Sequence, residues 1–318
     1  MKRTLPLILL LIVLFAADLT VGATFLSPFT DDPLLRQILL SLRLPRAITA
    51  IIAGVSLAAS GLMMQTLFRN PLAGPYILGV SSGATLGVAI LVLAGTLFGF
   101  AASSFATIAA AIIGATAILL LVLAVSFRVQ SNVSLLIIGM MFGSVAGALV
   151  NLMQNFANPD ALKLFIVWSL GSLSAVTWTE MQILIPIFLL GLALASLLVK
   201  PLNGMLLGEN YALALGINTR LIRLYIVLAT GLLAGGITAF CGPIAFVGVA
   251  VPHIARGIYR TSNHRTTLPA SALIGANLLL LCDLISNCFT YPLPISTVSA
   301  LFGAPVIIWI LLRKNLRN

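Results

Sequence analysis

The stretch Lys200–Arg223, KPLNGMLLGENYALALGINTRLIR, decides how the rest of the chain is read. It is the longest strongly polar break in the second half of an otherwise apolar sequence. Apolar runs at 181–199 and 224–240 flank it, each close to the ~20 residues that cross a bilayer. Within it, Glu209–Leu215 predicts a short helix. Glu209 in the first turn complements the helix dipole, and Gly216 stands where a left-handed C-terminal cap belongs. Asn218 or Thr219 then caps a following helix that begins with Arg220 and Arg223. A compact unit of this kind either seals one end of a helix bundle or offers a docking knob to a soluble partner.

Composition gives the class. Hydrophobic residues make up 60% of the 318-residue chain and charged residues 8%, against roughly 25% charged in a soluble domain. The mean hydropathy is +1.16. The fold class is therefore an all-α polytopic membrane protein. A net charge of +10 would suggest nucleic acid in a soluble chain, but here the basic residues form no soluble face, so topology must explain them. Cys241, Cys282 and Cys288 fall in or beside apolar runs with no C-x-x-C pair, as small buried hydrophobes do.

The first apolar run, 5–26, follows Lys2 and Arg3 but is long for a signal sequence and carries Asp18, so it predicts a retained helix. Residues 31–46 predict a polar connector. Further spans are predicted at 47–68, 76–99, 105–127, 133–157, 182–199, 222–240, 244–258, 268–290 and 296–312. The segment 244–258 is too short to cross straight. Residues 161–178 are apolar enough for one more span, but parity argues against it. Lys2 and Arg3 at one end and Arg313, Lys314 and Arg317 at the other put both termini on the cytoplasmic side, which requires an even count. Ten spans leave only Arg36, Arg43, Arg46 and Lys163 outside, and they place Lys200–Arg223 in the cytoplasm.

Two mechanisms compete for such a chain. An ion-gradient-driven secondary transporter needs ionisable groups within the membrane, and Asp18 and Asp283 are the carboxylates available inside the spans. The membrane half of an ATP-driven machine needs a partner, because the chain has no G-x-x-x-x-G-K-[ST] loop. Gly139, Gly143 and Gly147 recur every four residues on span 133–157, a spacing that lets another helix approach closely. This stripe serves packing within one chain, or else a subunit seam or pathway. Gln130–Ser134 forms a polar cluster where a gate could sit. Met63, Met64, Met140, Met141 and Met153 supply either packing or an adaptable lining. His253 has no second ligand at metal-binding spacing, so it reads as structural.

The motifs run in order along the chain: Arg43-Leu-Pro-Arg46, Ala53-Gly54, Ser60-Gly61, Gln65, and Arg69-Asn-Pro-Leu-Ala-Gly-Pro75. Then come Leu78-Gly79-Val80, Trp168-Ser-Leu-Gly171-Ser172, Gly208-Glu209, Leu215-Gly216-Ile217, Gly242-Pro-Ile-Ala-Phe-Val-Gly248, Val251-Pro-His-Ile-Ala-Arg256, His264-Arg265, Asp283-Leu284 and Gly303-Ala-Pro305. This series resembles the FecCD family of ABC-importer permeases across essentially the whole chain. Pro292-Leu293-Pro294 and Asn287 depart from it.

The resemblance implies a type II ABC importer permease fold of about ten transmembrane helices, one domain over 1–318, in the bacterial inner membrane. It implies transport of a metal chelate, an iron–siderophore first and haem or cobalamin next. The partners it implies are a second permease copy or a homologous permease, an ATP-binding ABC subunit dimer and a substrate-binding protein, with no cofactor and no catalysis on this chain. A coupling-helix segment would lie at about 204–220, with Glu209, Ala212, Leu213, Leu215 and Gly216 meeting the ATPase. Asn70, Ser131, Asn132 and the three glycines 139, 143 and 147 would belong to gate or pathway. Arg43 and Arg46 would meet the binding protein.

Overall fold

A computed structural model of the chain describes residues 3–22, 32–95, 103–129, 131–289 and 291–315. Lys2, Asp31, Gln130 and Arg317, which entered the sequence reading, lie outside them. The described residues are helical, without strands. In chain order the helices are α1 (Thr4–Thr20), α2 (Pro33–Leu67), α3 (Val80–Ala94), α4 (Ser104–Ser126), α5 (Asn132–Phe156), α6 (Pro159–Ser169) and α7 (Trp178–Leu197). Then follow α8 (Val199–Met205), α9 (Glu209–Ala214), α10 (Thr219–Cys241), α11 (Val247–Tyr259), α12 (His264–Asn287) and α13 (Ile295–Asn315). Six of these, α2, α4, α5, α7, α10 and α12, are long and apolar enough to cross a membrane alone. With the shorter α1, α3, α11 and α13 they occupy the ten expected positions. The protein is a multi-pass helical membrane protein.

One expected element changed. Residues 31–46 were expected as a polar connector, yet Pro33 opens a helix that runs unbroken through a π turn at Leu39–Arg43 into α2. Local chemistry explains this. Asp32 caps the Leu34 amide at 2.9 Å, Pro33 suits the first helical turn, and Leu34, Leu35, Ile38 and Leu39 are apolar. By contrast, 161–178 does not cross. Asn158 caps α6 by accepting from the Ala161 amide at 2.7 Å, the helix is only 11 residues long, and the chain turns at Gly171.

α2 is the centre of the bundle. Its most apolar window is 83% buried, whereas that of α5 is 22% buried. α2 packs along α12 and also against α11 and α7. Lipid tails are as apolar as leucine, so such crossings depend on backbone approach rather than on oil. At Gly54 an added Cβ would stand 2.2 Å from the Gly275 carbonyl oxygen, and at Gly61 it would stand 1.8 Å from that of Gly248. No side chain fits at either crossing. α3 and α4 form a second closely packed pair, against which α5 leans.

Candidate functional site at the Lys200–Arg223 end of the bundle

The polar break folds as a compact unit at one end of the bundle. Gly208, at φ 114°, turns the chain into α9, and Glu209 occupies its first turn. Gly216 at φ 77° takes the left-handed position after the helix. The Ile217 amide then returns to the Ala212 carbonyl at 3.0 Å, and the Gly216 amide to Leu213 at 2.9 Å, closing the C-terminus as anticipated. Asn218, rather than Thr219, caps α10 by accepting from Leu221.

The unit presents an apolar face. Leu213 is 53% exposed, Leu215 57% and Tyr211 51%, and Leu207 continues the patch. Tyr211 and Leu207 were missed in the sequence, although they fall four residues apart in step with Leu215. Ala212, expected among the residues that meet the ATPase, lies on the opposite side. It is fully buried, so it holds α9 against the bundle and does not belong to the outward face. A cleft of about 570 Å³ lined by Arg69, Leu207–Tyr211 and Ala214 adjoins the patch.

Two polar linkages tie this unit to its surroundings. Before α9, Asn203 Oδ1 faces both the backbone amide of His264 (2.7 Å) and its Nδ1 (2.9 Å), while His264 Nε2 meets Thr66 Oγ1 at 2.9 Å. This joins α8 to the start of α12 and to the last turn of α2. After α9, Arg223 Nη2 reaches Glu209 Oε1 at 3.3 Å, and its Nη1 donates to the Val129 carbonyl at 3.0 Å. Neither linkage was foreseen, since each joins residues distant in sequence.

The proposed gate residues lie beside these anchor points. Asn70 follows soon after α2; its Oδ1 accepts from the Leu72 amide at 2.9 Å, holding a turn that starts at Arg69 with φ 48°. Ser131 caps α5 through Ser134, and Asn132 opens the helix with its Oδ1 buried and without a hydrogen-bond partner among the described residues. His253 Nε2 is bound to the Pro71 carbonyl oxygen at 2.7 Å.

The glycine stripe divides. A Cβ on Gly139 would come within 2.7 Å of the Ile77 carbonyl, and one on Gly143 within 3.2 Å of Ser82 Oγ, whereas Gly147 meets nothing within 4 Å. Gly139 therefore receives the segment leading into α3, and Gly147 is open. Gly139→Val should lower the melting temperature of the detergent-solubilised protein by forcing the helices apart, at about 1–3 kcal/mol. Gly147→Val should leave it near wild type. Equal effects would show that the stripe is not packed in this way. Met63 and Met64 are fully buried core residues, so among the five methionines only Met140 and Met141 are exposed.

The opposite end holds the two arginines expected to dock a partner, and here the geometry redirects the expectation. Arg46 grips Asp283 on both oxygens, with Nε at 3.0 and 2.9 Å and Nη2 at 2.8 Å. Arg43 Nη1 donates to the carbonyls of Leu19 and Thr20 at 3.0 and 2.9 Å, capping the end of α1. Asn287 Nδ2 also approaches Asp283, at 3.4 Å. Asp18 is buried on α1, within electrostatic reach of Arg43, Arg46 and Asp283. Both arginines are thus engaged inside the chain, while Arg36 and Lys163 stand exposed. Asp283, clamped by Arg46, is not poised as a free ion relay.

Comparison with known proteins agrees with this architecture. A solved metal-chelate type ABC transporter, captured facing inward, superposes with a TM-score of 0.89 at 33% identity over 98% of this chain and 99% of that one. The hemin transport system permease protein HmuU of Yersinia pestis is 33% identical over 97% of this chain and 95% of its own. The vitamin B12 import system permease protein BtuC of Klebsiella pneumoniae is 36% identical over 98% and 94%. The FecCD transport family profile matches residues 4–313. With the helix bundle and the matched relatives in agreement along the chain, the chain belongs to the FecCD transport family of ABC transporter permeases.

Proposed function

We propose that this chain is the membrane-spanning subunit of a binding-protein-dependent ABC importer that carries a metal chelate across the bacterial inner membrane. It works as a homodimer or beside a homologous permease. Two separate ATP-binding subunits seat on the outward face of α9 from the cytoplasm, and both termini lie on that side. The cargo is an iron–siderophore, haem or cobalamin, and hydrolysis takes place on the partner.

The observation that carries this reading is the apolar face of α9. A short capped helix between two membrane helices exposes Tyr211 and Leu213, and its flanks expose Leu207 and Leu215, at the bundle end expected to face the cytoplasm. Such a patch needs a protein partner, since water leaves it costly and the polar linkages hold it in place. The substrate-binding protein docks at the other end. Arg36 and Lys163 offer exposed positive charge there, while Arg43 and Arg46 shape the surface from beneath.

Uptake by right-side-out vesicles loaded with ATP tests the proposal, with labelled ferric siderophore, haem and cobalamin offered through cognate binding proteins. ATP-dependent accumulation of one chelate is expected to survive an uncoupler. Accumulation without ATP that collapses with an uncoupler would instead indicate an ion-driven transporter.

A further inference from the structure

Arg223 is an unusual residue for its place. It lies in the first turns of α10, yet only 4% of its surface is exposed. A buried guanidinium must be repaid by several partners, or it costs more than it contributes. Among the described residues, two separate elements supply partners to it. Nη2 meets the Glu209 carboxylate at the start of α9 at 3.3 Å, while Nη1 donates to the carbonyls of Val129 at 3.0 Å and Ser126 at 3.5 Å. Those two carbonyls belong to the end of α4 and the turn that leads to α5, whose cap is Ser131. One rigid planar group therefore spans the docking helix and the turn before the gate cluster. A fork of five donors can hold a carboxylate in one direction and carbonyls in another, which a lysine ammonium on a flexible stem cannot do as rigidly.

Resting on the proposed seat for the ATPase at α9, we propose that Arg223 is the positioning residue through which displacement of α9 reaches the α4–α5 turn. Glu209 is its input and the carbonyls of Val129 and Ser126 are its output. When the partner moves α9, the ion pair carries the guanidinium with it, and the two carbonyls follow. Ser131 and Asn132, two and three residues beyond Val129, then shift with the turn. The linkage needs no change inside the membrane to begin. It converts a movement at the bundle's end into one at the first turn of α5.

The test uses the complete complex in lipid, with wild type, Arg223→Lys, Glu209→Gln and Leu213→Arg compared for transport per ATP hydrolysed. Amide hydrogen exchange is followed at 126–135 with and without nucleotide. In the wild type, exchange at 126–135 should respond to nucleotide. In Arg223→Lys that response should disappear, and transport per ATP should fall by about 10-fold, while 207–217 remains protected by the ATPase. Glu209→Gln, a change at a partly exposed side chain, should move both readouts the same way by less, and it carries the test alone if Arg223→Lys fails to assemble. A merely structural role would raise exchange at 126–135 with or without nucleotide and leave the ratio unchanged, which overturns the proposal. If Leu213→Arg uncouples the complex while both linkage variants keep the wild-type ratio and response, Arg223 is not the link, though α9 remains the seat. If Leu213→Arg itself transports normally, the seat at α9 falls and this proposal falls with it.

Discussion

An Arg46→Glu chain is expected to lose its folded state. Asp283 sits on α12 with only 1% of its side chain exposed, and its three close contacts from Arg46 are what make that burial tolerable. Reversing Arg46 would leave two carboxylates facing one another, with Asp18 also within electrostatic reach. Breaking one partner of a buried pair costs about 3–5 kcal/mol, a large share of the roughly 5–15 kcal/mol that holds a typical fold. The variant should vanish from the monodisperse peak in size-exclusion chromatography, or melt far below wild type. An apolar pair should recover most of the loss, because well-packed hydrophobic residues often replace a buried ion pair at little cost. Arg46→Met with Asp283→Leu is therefore expected to fold where Arg46→Glu does not. A wild-type melting temperature for Arg46→Glu would show that the clamp does not hold α2 to α12.

Leu213→Arg should have a comparably large effect on transport with none on folding. Leu213 is more than half exposed in the isolated chain, so arginine there is readily solvated. Seated against a partner, the same guanidinium would be stripped of water without a prepared carboxylate, costing several kcal/mol or forcing the contact open. Transport in the reconstituted complex should fall by at least about 10-fold, the equivalent of 1.4 kcal/mol, with an unchanged melting temperature for the permease alone. Ala212→Arg is the informative contrast. That position is fully buried within the chain, so this variant should damage the permease itself.

Much of this architecture is written locally. The membrane helices follow from runs of apolar residues interrupted by Pro, Gly and capping residues. The α9 unit follows from Glu209, Gly216 and Asn218, each acting within a few residues of itself. The extension of α2 back to Pro33 was missed because Arg36, Arg43 and Arg46 read as a connector, whereas Asp32 and Pro33 start a helix that tolerates them. What the sequence could not supply were pairings across distance. Arg43 and Arg46 resemble free docking charges until α1 and α12 place Leu19, Thr20 and Asp283 beside them. Ala212 looks equivalent to Leu213 on a six-residue helix until packing decides which side faces in. Gly139, Gly143 and Gly147 share one spacing, yet the segment Ile77–Ser82 lies against the first two alone and gives them a reason to be small.

The most direct measurement is solvent accessibility at position 213 in the assembled complex. In a Cys288→Ser background, which removes the exposed native thiol, cysteines are placed singly at Leu213 and at Tyr291, which is 84% exposed at the opposite end. Maleimide labelling is then followed before and after the ATP-binding subunits are added, without the binding protein. These subunits should block Leu213→Cys and leave Tyr291→Cys reactive. Unchanged labelling of Leu213→Cys in a complex that still hydrolyses ATP and transports would contradict it.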